Sequence, residues 1–141
     1  MKANELMLGD WVVYRGDAEY TNPVRIEGMD ILTNALITED REDVGFDGIE
    51  PIPLTAEILE KNGIKLEEVG DNGISTPPKW RNRFEKWALH TQWKDTFIWY
   101  DRTAKYWHLH DMGAAKLHYV HELQRALRCC GLYEEANNIT V

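Results

Sequence analysis

The chain has 141 residues, 43% of them hydrophobic, with six tryptophans and a formal net charge of −8; that is enough apolar material for one packed domain and too much for a disordered chain. No apolar run approaches the ~20 residues a membrane span needs, and the start, Met1-Lys2-Ala3-Asn4-Glu5-Leu6, lacks a secretory leader's apolar stretch. The expectation is a soluble cytoplasmic protein with no membrane partner. Adjacent Cys129 and Cys130 point in different directions on a helix and cannot staple distant segments, which fits a reducing compartment.

In chain order, Gly9-Asp10 punctuates a turn that feeds a strand, Trp11-Val12-Val13-Tyr14. Arg15-Gly16-Asp17 is an adhesion tripeptide only outside cells and is expected here to be a turn. Val24-Arg25-Ile26-Glu27-Gly28-Met29 alternates apolar and charged residues, as a half-exposed strand does, and Ile31 to Thr38 and Val44 to Ile49 predict two more. Short strands with glycine turns predict a small SH3-like unit. The acidic segment from Glu39 to Glu50 fails the register of a calcium loop: counted from Asp40, the fifth position is Val44 and the twelfth Pro51.

Pro51 and Pro53 hold Ile49 to Leu54 extended. Thr55 to Gly63 reads as a short helix, capped by Thr55 and stopped by Gly63. Gly70 to Pro78 is a loop or linker. Five of the tryptophans then fall between Lys79 and His110. Phe84 to His90, Phe97 to Tyr100 and Lys105 to His110 read as strands, the last two joined by the turn Asp101-Arg102-Thr103-Ala104. Trp87 and Leu89 are expected to share the core face. Leu117 to Gly131 reads as the one long helix, with Tyr119, Val120, Leu123, Ala126, Leu127 and Cys130 inward and His118, His121, Glu122, Arg125 and Arg128 toward solvent.

The predicted fold class is α+β: an acidic SH3-like β unit over 1–54, a short helix and linker over 55–78, and an antiparallel meander packed by the C-terminal helix over 79–141. The three can close into one compact domain. The charge is uneven along it. Residues 1–70 carry 6 Lys/Arg against 16 Asp/Glu, and residues 71–141 carry 10 against 8. The acidic half repels polyanions, while the second half has room for a local basic site.

Three stretches together carry a resemblance: Glu5 to Val12, Ile49 to Gly63 and Tyr119 to Gln124. In that order they resemble a family of small uncharacterised proteins of Bacteroidetes and their phages and mobile elements. The resemblance implies a cytoplasmic, element-associated accessory protein and transfers no activity.

Two constellations carry chemistry. His108 and His110 face one way on a strand, and His118 and His121 are neighbours on a helix. Converging, they would suit a tetrahedral zinc, with Glu122 as base in a metal-dependent hydrolase. Arg125 and Arg128 oppose a cation there, and the two pairs are expected on opposite sides of the packed layer, so no metal is expected. The order His118-x-x-His121-Glu122 also matches no zinc-protease motif.

The second constellation is the basic, aromatic-interleaved run of Trp80, Arg81, Arg83, Lys86, Trp93 and Lys94, where cations would hold phosphates and rings stack bases of a single-stranded nucleic acid. Tryptophans in a meander more often build core. No phosphate loop, Gly-x-Ser-x-Gly elbow or dinucleotide fingerprint occurs, so no cofactor is expected and no catalytic residue is assigned. A non-enzymatic accessory protein with a protein partner is the leading expectation, nucleic-acid binding the alternative. The sequence is compatible with a monomer or a homo-oligomer.

Overall fold

The computed structural model describes residues 6–30, 32–68, 84–88, 91–94, 96–110 and 114–141. It is α+β, with two antiparallel sheets and three short helices among these residues. The first sheet takes β1 (Trp11–Tyr14), β2 (Val24–Asp30), β3 (Ala35–Thr38) and β4 (Ile49–Pro51) in the order β3-β2-β1-β4. Val44, predicted to begin a strand, makes only an isolated bridge to Leu36, and Phe46–Gly48 is a turn of 3-10 helix. The Arg15-Gly16 step is a turn, as expected, with Gly16 at a φ of 99°.

Helix α1 (Ala56–Lys61) follows the prolines. The Thr55 hydroxyl accepts the Ile58 N–H at 3.3 Å, and Gly63 leaves the helix at a φ of 87°. The second sheet is a meander of β5 (Glu67–Glu68), β6 (Phe84–Ala88), β7 (Phe97–Asp101), β8 (Tyr106–His110) and β9 (Ala114–Leu117), in chain order. The β7–β8 turn forms because the Asp101 carboxylate accepts the N–H groups of Thr103 and Ala104, each at 3.0 Å, while Lys105 takes a φ of 60°.

The expected long helix is shorter. Leu117 belongs to β9, and α2 runs from Val120 to Cys129. The Glu122 carboxylate fixes its start by accepting the N–H of His118 and of Tyr119, each at 3.0 Å. Gly131, at a φ of 79°, ends it as expected, and α3 (Tyr133–Asn137) follows.

The main core takes Val13 from β1, Ile52 and Leu54 after β4, Leu59 from α1, Ile98, Trp107, Leu109 and Leu117 from the meander, and Leu123 and Leu127 from α2. The three segments of the chain therefore share one interior. A second cluster, with Val12, Ile26, Leu36 and Ile49, lies within the first sheet. Backbone bonds join the two sheets as well: Leu54 N–H donates to His118 O and Val120 N–H to Ile52 O, both at 2.9 Å. No helix among the described residues is long and apolar enough to cross a membrane.

The solvent-facing assignment of α2 needs correction at two positions. His121 and Arg128 are buried, and so is Gln124, whereas Tyr119 is exposed. The helix hides an arc of about half its circumference. Its apolar side lies on the meander, and its polar side lies against Gly9-Asp10-Trp11. Trp87 is buried, as expected of a core residue, but apart from the main core, and its expected neighbour Leu89 lies outside the described residues. Trp87 pairs with Trp99 across β6 and β7 and packs with it in a separate cluster, while Ala88 faces Ile98 and the helix.

Candidate functional site: the histidine and aromatic face of the meander

Strand alternation sends Ile98, Tyr100, Trp107 and Leu109 to the helix side of the meander and Phe97, Trp99, Asp101, Tyr106, His108 and His110 to the other. On that second face the Trp99 ring stacks on His108 with centroids 4.0 Å apart and planes 5° from parallel. Its indole N–H donates to His110 Nε2 at 3.1 Å. His110 must accept there, so its proton sits on Nδ1. Burial pushes its pKa below the usual histidine value, which favours this neutral form. His108 Nε2 lies 3.3 Å from Oδ2 of the buried Asp101, whose other oxygen holds the hairpin turn.

The rings continue past the sheet. Tyr106 contacts His108 at 4.6 Å and His118 at 5.1 Å, His118 contacts Tyr119 at 6.1 Å, and Tyr119 stacks on His121 at 5.8 Å. The Lys116 ammonium lies 5.6 Å from the Tyr106 ring centre. A string of ring neighbours thus runs from His108 through Tyr106, His118 and Tyr119 to His121, although His108 and His110 lie on the face of the meander away from α2, which carries His121. Among the described residues, however, no three His, Cys, Asp or Glu side chains come together as a metal-binding group. His118 is instead beside Glu122 at 3.8 Å, and Arg128 pairs with Asp10 at 2.6 Å.

Of the basic, aromatic-interleaved run, Trp80, Arg81 and Arg83 lie outside the described residues. Trp93 is 3% exposed and sits in the main core, so its ring offers no face to a base. The Lys94 ammonium donates to Cys130 O at 3.0 Å, at the carbonyl end of α2, where a cation is favoured. Lys86 is half-buried on β6.

Two clefts went unseen in the sequence. One, of about 440 Å³, is lined by Tyr14, Asp17, Asn22, Asp40 and Arg41. There the Tyr14 hydroxyl donates to Asp40. Burial first, and then that bond, raise the Tyr14 pKa, and the same bond lowers the pKa of Asp40. Asp17 is lowered as well, chiefly by the N–H of Asn22 and of Thr21. The other cleft, of about 260 Å³, lies between the start of α1 and the meander and includes Glu85, Tyr100 and Trp107. Neither could be read from spacing, since each depends on loops or register bringing distant residues together.

Compared with known proteins, the chain matches no protein-family model, no curated protein and no solved structure.

Proposed function

We propose that this chain is a non-enzymatic interaction protein, cytoplasmic and accessory to a phage or mobile element, whose N-terminal unit is SH3-like. What supports the reading is where its ionisable groups are placed. Asp10 with Arg128, Asp101 with His108, and Glu122 with two backbone N–H groups each tie one part of the fold to another. None of these groups lines either cleft described above. A catalytic group must reach substrate in a concave site; Asp10, Asp101 and Glu122 are occupied in assembly instead, and the clefts are left to Tyr14, Asp17, Asp40 and Arg41 in one and Glu85 and Lys86 in the other. The association with phages and mobile elements rests on the resemblance of residues 5–12, 49–63 and 119–124.

A second reading is single-stranded nucleic-acid binding through the run 79–94, extended by the edge where Lys116 lies over Tyr106 and His118 meets that ring at 52°. Affinity capture of the tagged full chain from its native host, with and without nuclease, separates the two. A stoichiometric protein partner that survives nuclease is the expected result. Loss of all partners on nuclease treatment would favour the second reading.

A further inference from the structure

The register between β6 and β7 slips. Phe84 pairs with Asp101 and Trp87 with Trp99, so two residues, Glu85 and Lys86, stand opposite the single residue Tyr100. Such a bulge bends the strand and re-aims side chains that regular alternation would send to opposite faces. Here both residues line the 260 Å³ cleft at the start of α1, with Leu54, Ala56, Tyr100 and Trp107.

The cleft has a rigid aromatic corner. The Trp107 indole N–H donates to Leu54 O at 3.1 Å, which fixes the ring, and Tyr100 meets it at 54° with centroids 5.1 Å apart. Glu85 is exposed at the rim and, among the described residues, makes no hydrogen bond or ion pair. Lys86, beside it, has an interaction of its own. A carboxylate without an ion pair among the described residues, next to the half-buried Tyr100 ring, is suited to a cation; Trp107, 3% exposed in the main core, backs that ring and offers no open face of its own. The size is below that of sites for drug-sized ligands, which fits one side chain. The chain's net charge of −8, concentrated in residues 1–70, adds long-range attraction for a basic partner.

We propose that this cleft receives a lysine or arginine side chain of a basic protein partner, held between the Tyr100 ring and the Glu85 carboxylate, with Trp107 as the cleft's floor. The proposal rests on the interaction-protein reading and names the chemistry of the partner. Any cation entering also meets the Lys86 ammonium, so removing that charge should strengthen binding.

The test is a titration of the 15N-labelled full chain with acetyl-arginine amide, and with the neutral isostere acetyl-citrulline amide, following the Trp107 indole N–H signal. The arginine compound should shift it with an affinity in roughly the millimolar range, as one contact allows, and the citrulline compound should not. Glu85→Gln, at an exposed position that leaves the core intact, should weaken binding about fivefold or more, and Lys86→Gln should tighten it. Equal shifts from both compounds, or none from either, would overturn the proposal. A captured protein partner that binds Glu85→Lys as tightly as the natural chain would also overturn it, while leaving the interaction reading intact. Binding of the arginine compound with no protein partner on capture would uphold the cation site and remove the reading beneath it.

Discussion

Asp10 and Arg128 are both buried, at 1% and 7% exposure, and meet at 2.6 Å. The cost of taking two charges from water is offset only if their remaining bonding sites are filled. They are: the other Asp10 oxygen accepts the Met7 N–H at 2.8 Å, and Arg128 Nη2 donates to Leu8 O at 3.1 Å. Asp10 and Arg128 lie at opposite ends of the chain, so this pair fixes α2 against the turn before β1. Asp10→Ala or Arg128→Met alone should cost about 3–5 kcal/mol, because each leaves a buried charge unpaired. The two together should cost clearly less than the sum of the singles. Urea midpoints of the three variants check this, and additive losses would mean the groups do not act as a pair.

Helix α2 shows what an element's pattern reveals and what it hides. At ~100° per residue, Val120, Leu123 and Leu127 mark the side that meets the meander, and all three are buried as the sequence implies. Gln124 and Arg128 lie next on the wheel and look like a solvated flank, yet they face the residues around Asp10, and His121 on the same flank is buried beneath Tyr119. A polar residue facing buried partners has the same letter as one facing water. Only the partner, more than a hundred positions away, tells them apart. Strands β6, β7 and β8 and the β7–β8 turn were legible because alternation and turn residues are local, whereas the short strands β5 and β9 went unrecognised. Nor was the β6 bulge legible, since an extra residue leaves no mark in composition, and the Glu85 cleft was missed with it. Gln124 offers the sharpest test. Its carbonyl oxygen accepts the Trp11 N–H at 3.0 Å, and its amide donates to Gly9 O at 2.9 Å and Ala136 O at 3.1 Å. Gln124→Leu keeps the volume and should still cost about 2 kcal/mol or more, by orphaning buried backbone groups at about 1–3 kcal/mol each. A negligible change in the urea midpoint would show that these bonds are replaced by water.

Across the whole molecule, the C-terminal residues act as a clasp between the two halves. Ile139 is buried, and its carbonyl accepts the Trp11 indole N–H at 2.6 Å. Thr140 and Asn62 exchange bonds, with Thr140 N–H donating at 2.9 Å and Asn62 Nδ2 at 2.8 Å, and the Lys61 ammonium donates to Val141 O at 2.8 Å. Together with the shared core and the two backbone bonds between residues 52–54 and 118–120, this couples β1 and α1 to the meander and α2. Unfolding should therefore be a single cooperative transition, as a domain of this size with one interior usually shows. Tryptophan fluorescence, dominated by the five indoles after residue 79, and far-UV circular dichroism, which averages the backbone, should give coincident urea curves. Removing residues 139–141 deletes a buried isoleucine and the acceptors it carries, so it should lower stability by about 2–5 kcal/mol while the two probes stay coincident. Two separated transitions in the full chain would mean that the acidic half and the aromatic half fold independently. Separation only after truncation would mean that the last three residues, rather than the shared core, make them one unit.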